Sequence, residues 1–91
     1  MNWTVHIRKK ALKLLGKIPR NDQERIKSAL REMTDNPYVG DIEKIEGEEN
    51  TWRRRTGNYR ILFDIDVNNK FVEVRMIKRR TSSTYLLPIF P

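Results

Sequence analysis

The sequence contains no cysteine and a single histidine, His6, among its 91 residues. The lack of cysteine excludes disulfides, thiolate nucleophiles and zinc sites built on sulfur. With one histidine, neither a His-rich metal site nor a serine triad is available. We therefore expect no metal and no cofactor, and we interpret His6, which lies on the polar side of a short predicted strand, as a surface residue.

Long apolar runs are also missing. No segment approaches the ~20 apolar residues needed to cross a bilayer, and the start MNWTVHIRKK lacks the apolar stretch of a signal peptide. A chain of this length predicts one domain, residues 1–91, with a modest core and little room for a deep pocket. We expect a cytoplasmic protein without a membrane partner, whose chemistry takes place on a surface or in a groove.

Positive charge is abundant and unevenly placed. Residues 1–50 hold 10 Lys/Arg against 9 Asp/Glu, whereas residues 51–91 hold 9 against 3, and the total formal charge is +7. Such a concentrated positive field predicts a polyanionic partner. RNA or DNA is favoured over acidic lipid, because the sequence has no strongly amphipathic basic helix that could lie on a membrane.

The first half of the chain predicts a strand and two helices. Apolar residues alternate with polar ones from Trp3 to Ile7, which is typical of a half-buried strand. Two patterns with helical spacing follow and predict an α-hairpin: Ala11, Leu14, Leu15 and Ile18, then Ile26, Ala29, Leu30 and Met33. Asn21 and Glu24 are typical of the capped start of the second helix. Residues 35–50, rich in turn formers and acids, are interpreted as a connecting loop.

The second half predicts three strands, at residues 52–56, 59–67 and 70–77, joined by turns at Gly57-Asn58 and Asn68-Asn69. An Asn68-Asn69 turn would give three apolar cross-strand pairs: Ile65 with Val72, Phe63 with Val74, and Ile61 with Met76. Three other pairs would lie on the opposite face: Arg60 with Ile77, Leu62 with Arg75, and Asp64 with Glu73. The predicted fold is α+β, an N-terminal strand, an α-hairpin and a three-stranded antiparallel meander, with the helices packed on the apolar face.

The uncovered face is predicted to be basic. A Gly57-Asn58 turn sets Arg55 opposite Arg60 and Arg53 opposite Leu62, so that Arg53, Arg55, Arg60 and Arg75 share that face, while Arg54 points toward the core edge. Directly opposed cations repel each other, and the arrangement favours an anionic ligand. The alternative is that nearby acids pair with the arginines, but these acids are too few for the whole set.

The order of these segments resembles the RelE/ParE superfamily of toxin–antitoxin toxins. The similarity covers nearly the whole chain, and its segments are the strand, the α-hairpin, the connector NPYVGDIEKIEG, the hairpin WRRRTGNYRILFDI and a last strand that runs into KRRTSSTY. The hairpin is the specific part, because it combines basic alternate positions, a turn, and Tyr-Arg followed by alternating apolar residues. The fold that this resemblance implies agrees with the fold predicted above.

The resemblance to the RelE branch implies a ribosome-dependent endoribonuclease that cuts mRNA in the ribosomal A site, inhibits translation and is neutralised by a RelB-like antitoxin. By position it implies five catalytic residues: Arg53, Arg55, Arg60, Arg79 and Tyr85. Arg75, Lys78 and Arg80 are expected to contact RNA or the ribosome. Tyr85 could stack on a base or polarise the 2′-hydroxyl.

Three functions remain open from the sequence. The RelE branch often has lysine at the two strand positions that are Arg53 and Arg55 here, and an arginine is a poor general base because it stays protonated. The group that takes the 2′ proton is therefore not identified. A ParE-like inhibitor of DNA gyrase and a non-catalytic RNA-binding module are the alternatives to an mRNA-cleaving toxin.

Overall fold

The computed structural model describes residues 2–79, which form two helices and five strands. The elements in chain order are β1 (Thr4–Ile7), α1 (Lys9–Leu15), α2 (Arg20–Met33), β2 (Asp41–Lys44), β3 (Thr51–Thr56), β4 (Tyr59–Asp66) and β5 (Phe71–Arg79). The strands make one sheet in the order β1-β5-β4-β3-β2. β1 runs parallel to β5, and the other neighbours are antiparallel. Within residues 2–79, no helix is long and apolar enough to span a membrane.

The predicted α+β class, the α-hairpin and the antiparallel meander are confirmed, but the sheet is wider than predicted. The segment interpreted as a connecting loop contains β2, which pairs with β3. Only Ile42 of β2 is partly buried, against the core. The strand pattern is short and surrounded by charged and turn-forming residues, which explains why the sequence predicted a loop.

The two helices cover one face of the sheet, and the core lies between them. α1 packs against β5 and α2 against β3. The helices bury Ala11, Leu15, Ile26, Ala29, Leu30 and Met33 against apolar residues of β4 and β5, of which Phe63, Ile61, Val72 and Val74 are fully buried. Apolar side chains at i, i+3 and i+4 of α2 form the stripe that this packing requires.

The start of α2 differs from the prediction. The helix begins at Arg20 with Pro19 at its N-cap, and no side chain caps it. The proline ring holds φ near the value that a helix start needs, so the helix begins two residues earlier than an Asn21 cap would place it. The predicted capping role of Asn21 is therefore wrong.

A β-bulge changes the register of β4 and β5. The predicted pairs of Ile65 with Val72, Phe63 with Val74, and Asp64 with Glu73 are confirmed. From Leu62 toward the start of β4, each residue pairs with a β5 residue one position later than predicted, because Arg75 is an extra residue on β5. The pairs predicted for this end of the strands are wrong, and the observed ones are Leu62 with Met76, Ile61 with Ile77, Arg60 with Lys78, and Tyr59 with Arg79.

The loop between β4 and β5 also differs in detail. It spans residues 67–70, and its one residue with positive φ is Lys70, at +50°, instead of either asparagine. Asn69 donates hydrogen bonds to Asp66 from its backbone N–H and its amide. These bonds hold the pKa of Asp66 below its ordinary value, and they fix the chain before the turn.

Arg54 points away from the other strand arginines, as predicted, but it is buried instead of reaching past the core edge. Its guanidinium forms an ion pair with Glu32, and its Nη1 lies 3.5 Å from the carbonyl oxygen of Ala29. Gly40 has φ of +87°, and a Cβ there would come within 2.7 Å of the Arg54 Nε. Arg54 thus connects β3, the end of α2 and the segment before β2.

Candidate nucleic-acid interface

The sheet face opposite the helices is called the open face below, and its side chains form cross-strand rows. The row at one end, called the basic row, consists of Asp41 on β2, Arg55 on β3, Arg60 on β4 and Lys78 on β5. Directly paired residues have Cβ atoms about 4.5–5.5 Å apart. Three cations therefore occupy adjacent positions on three neighbouring strands.

Two members of the basic row have no counter-ion in the part of the chain that the structure describes. Within residues 2–79, neither Arg60 nor Lys78 forms an ion pair or a side-chain hydrogen bond. The Nε of Arg60 is moreover buried without a hydrogen-bond partner in this part of the chain. A buried donor without an acceptor costs about 1–3 kcal/mol. An anion on the open face would remove both the unpaired charge and the unpaired donor.

The next row holds Glu43, Arg53, Leu62 and Met76. Arg53 forms an ion pair with Glu43, and the hydrogen bond and charge of Arg53 hold the pKa of Glu43 below its ordinary value. Arg55 lies next to Asp41 in the same way, with 3.5 Å between Nε and Oδ2. The alternative that nearby acids pair with the strand arginines is thus confirmed for Arg53 and Arg55, because β2 supplies a carboxylate to each, but within residues 2–79 it does not extend to Arg60.

The other end of the open face is acidic. Its row consists of Thr51, Asp64, Glu73 and His6. The hydroxyl of Thr51 donates to Asp64 at 2.6 Å, and the Arg75 guanidinium lies 3.5 Å from the same carboxylate. Glu73 bonds to His6 Nδ1 at 3.0 Å and accepts from Arg8 Nε at 3.1 Å.

A groove of about 750 Å³ lies at this acidic end, and its lining includes Glu48, Asp64, Asp66 and Glu73. These carboxylates would repel a phosphate backbone, although Arg8 and Arg75 also line the groove. Rows are about 6.6 Å apart along a strand. The open face therefore changes from basic to acidic over about 13 Å, and we assign the anion-binding region to its basic end.

The structure brings together some of the predicted site residues and separates others. Arg53, Arg55 and Arg60 lie together, and Lys78, expected from the sequence to bind RNA, lies directly opposite Arg60. Arg75 lies beside Asp64, and Arg79 pairs with Tyr59, whose side chain is buried on the helix-covered side. Arg80 and Tyr85 lie outside the described residues. The sequence analysis did not place Lys78 opposite Arg60, because this pairing depends on the β-bulge in β5. The sequence of β5 reads as an unbroken strand and gives no sign of the bulge.

The sequence was compared with models of known protein families. The model described as the ParE toxin of the type II toxin–antitoxin system parDE matches residues 4–82. The chain belongs to this family. It is accordingly a toxin of a type II toxin–antitoxin system, and the RelE/ParE resemblance is confirmed.

Solved structures of RelE toxins share the fold of this ParE-family toxin. RelE in the archaeal RelE–RelB complex of Pyrococcus horikoshii is 24% identical with a TM-score of 0.80, and the match covers 90% of this chain and 99% of that one. The RelB–RelE complex of Methanococcus jannaschii gives 26% identity, a TM-score of 0.70 and coverage of 94% and 99%. The isolated E. coli RelE toxin gives 19%, 0.77, and coverage of 96% and 95%.

Proposed function

We propose that this ParE-family toxin is an endoribonuclease that enters the ribosomal A site and cuts mRNA there. The observation that carries the proposal is the basic row, in which Arg55, Arg60 and Lys78 occupy adjacent positions and two of the three lack a counter-ion among the described residues 2–79. A phosphodiester is the anion whose size and charge suit such a row. This action on ribosomes would take place in the cytoplasm.

The proposed chemistry is attack of the RNA's own 2′-hydroxyl on the adjacent phosphorus. The 2′-hydroxyl gives its proton to solvent and its oxygen bonds to phosphorus, while the bond from phosphorus to the 5′ oxygen breaks and that oxygen takes up a proton from solvent. A 2′,3′-cyclic phosphate and a 5′-hydroxyl form, and negative charge builds on the nonbridging oxygens in between. Planar guanidinium groups match that charge in a bidentate way. Each well-aimed donor is worth about 10²–10³ in rate, and the ribosome would supply the orientation of the mRNA.

The residue roles in this proposal combine the row geometry with the resemblance. Arg60 and Lys78 would contact the scissile phosphate, and Arg53 and Arg55 would do so when they leave their carboxylates. Arg79 would approach the RNA from the end of β5. Tyr85 is proposed to stack on a base or orient the 2′-hydroxyl, and Arg75 and Arg80 to bind RNA nearby.

The partner that neutralises the toxin is proposed to be a RelB-like antitoxin. The RelE structures from Pyrococcus horikoshii and Methanococcus jannaschii were determined as complexes with RelB. An acidic, helical antitoxin segment lying on the basic row would supply counter-ions to Arg60 and Lys78, which find none within residues 2–79.

Inhibition of DNA gyrase is the second candidate, because the family model that matches carries the ParE name. One experiment separates the two functions. The purified toxin is added to ribosomes programmed with a defined mRNA, the RNA ends are mapped, and gyrase supercoiling is measured in parallel. A-site cuts whose rate Arg60→Ala lowers about 10²-fold support the proposal. Intact mRNA with inhibited gyrase contradicts it, and intact mRNA with active gyrase favours a non-catalytic RNA-binding module.

A further inference from the structure

A second group of cations lies on the helical side of the molecule. It is called the α1 surface below and consists of Lys9, Lys10, Lys13, Lys17 and Arg20, all exposed. Within residues 2–79, none of the five forms an ion pair or a side-chain hydrogen bond. Residues 1–21 contain six Lys/Arg and no Asp or Glu. This region is thus the longest part of the chain without negative charge.

These lysines are placed where they weaken the helix that carries them. Lys9 and Lys13 are four residues apart in α1, a spacing at which like charges repel. Lys10 follows Lys9 directly, and the first turn of α1 contains no acidic residue. The arrangement becomes favourable when an anion lies beside it.

The α1 surface faces away from the open face. α1 buries Ala11 and Leu15 against the sheet. At about 100° per residue, Lys9 and Lys13 project from the side of the helix opposite these two residues. Lys17 continues the line in the turn after the helix, where its N–H bonds to the Leu14 carbonyl at 3.0 Å. The toxin therefore presents basic residues on two opposite sides.

We propose that the α1 surface binds the phosphate backbone of folded ribosomal RNA while the open face holds the mRNA. This inference rests on the proposed function and adds a second contact to it. Phosphate backbone is favoured because the surface offers five cations and one large exposed hydrophobic residue, Leu12. The core of a protein interface and the buried face of a membrane anchor contain several aromatic or apolar residues, more than this surface offers.

The test compares two triple variants with the same net charge, each made in the Arg60→Ala background so that mRNA stays intact. One carries Lys9→Gln, Lys13→Gln and Lys17→Gln. The control carries Lys27→Gln, Lys44→Gln and Lys70→Gln, which lie on α2, on β2 and in the β4–β5 loop. Affinity for programmed ribosomes is measured over a range of salt concentrations.

We expect the α1 triple to bind ribosomes at least about 10-fold more weakly at physiological salt, and its slope of log affinity against log salt to fall by about 2 units, since each lost phosphate contact contributes about 0.7–0.9. The control triple should stay within about 3-fold of its parent. In the chain that keeps Arg60, the α1 changes should raise the ribosome concentration needed for half-maximal cleavage. The maximal cleavage rate should fall by a smaller factor. The melting temperature of the α1 triple should be unchanged or higher.

Other outcomes would overturn the inference. Equal losses in the two triples would show that only total charge matters. A lowered maximal rate with unchanged affinity would place the lysines at the cleavage site, and weaker binding of the antitoxin alone would identify an acidic protein as the partner. If the unaltered toxin neither binds ribosomes nor cuts mRNA on them, the proposed function fails together with this inference. If the unaltered toxin cuts and the α1 changes have no effect on binding, this inference alone is overturned.

Discussion

Arg60 and Lys78 face each other across β4 and β5, and neither has a counter-ion within residues 2–79. We expect Arg60→Ala and Lys78→Ala each to lower the single-turnover cleavage rate by about 10²-fold, because each removes charge aimed at the phosphate. Arg79→Ala should cost less, about 10-fold or below, since Arg79 pairs with Tyr59 on the other side of the sheet.

The measurement is the rate of mRNA cleavage at saturating ribosomes, with Lys27→Ala as the control on a distant helix. If Arg79→Ala lowers the cleavage rate more than Lys78→Ala does, the family motif predicts which residue acts on the phosphate better than the strand register does.

Arg54, next to two proposed site residues, is expected to act on stability alone. Arg54 is 8% exposed and pairs with Glu32. Arg54→Ala should lower the free energy of unfolding by about 2–4 kcal/mol, because it leaves a cavity beside Gly40 and removes an ion pair that is buried on the arginine side. Arg55→Ala, the exposed neighbour, should change it by less than about 1 kcal/mol. Urea unfolding measures both, and similar losses would contradict the distinction.

At the scale of elements, β2 supplies the carboxylates that hold two of the proposed catalytic arginines. Glu43→Gln should release Arg53 and tighten binding of single-stranded RNA about 2- to 5-fold, since the arginine no longer has to leave an ion pair. Glu46→Gln, which changes the same charge on the loop after β2, is the control. Fluorescence anisotropy with a short labelled RNA measures the affinities, and equal tightening by both variants would indicate a general charge effect.

The pH dependence of the Glu43 pair has a defined sign. Arg53 holds the pKa of Glu43 below its ordinary value of 4.5, so the pair stabilises the fold at higher pH and is lost as the pH falls through the lowered, folded-state pKa. The melting temperatures of the unchanged chain and Glu43→Gln should differ by a constant amount from about pH 8 to pH 6 and converge below about pH 4. A difference that grows in acid would contradict this assignment.

For the whole molecule, the separation of charge on the open face predicts how RNA binding responds to salt. If the basic end of the open face and the segment Lys78-Arg79-Arg80 neutralise about four to six phosphates of a single strand, log affinity for RNA should fall with log salt at a slope of roughly −3 to −4. Asp64→Asn, at the acidic end, should raise the affinity without changing the slope by more than about 0.5 units, because no phosphate contact is lost. A slope near zero would contradict electrostatic binding.

The fold was predictable to the extent that its periodic patterns are strong. The apolar stripe of α2 and the alternation from Tyr59 to Ile65 are long enough to define a helix and a strand, and both are confirmed. β2 was missed because four residues with one half-buried isoleucine do not make a pattern. The partner of a strand is a non-local property, and it decides which acids of the 41–49 segment lie opposite Arg53 and Arg55.

The candidate site was predictable on β3 and β4 and less so on β5. The turn at Gly57, with φ of +60°, has the geometry that the sequence indicates, so Arg55 was correctly placed opposite Arg60. On β5 no Gly or Pro marks the bulge, and Arg75 is an ordinary strand residue by composition. Whether Lys78 or Ile77 lies opposite Arg60 depends on that one residue.

The bulge at Arg75 also determines how the last strand should be aligned with those of related toxins. Removing Arg75 would leave a regular ladder in which Met76, Ile77 and Lys78 keep their present faces, because the extra residue is the one removed. A relative that is one residue shorter here therefore has its equivalent of Lys78 on the open face when a gap is placed at position 75. In a relative of equal length without a bulge, the residue aligned with Arg79 lies on the open face, and the residue aligned with Lys78 does not. The presence or absence of one residue at position 75 therefore decides which of two neighbouring alignment columns describes the site.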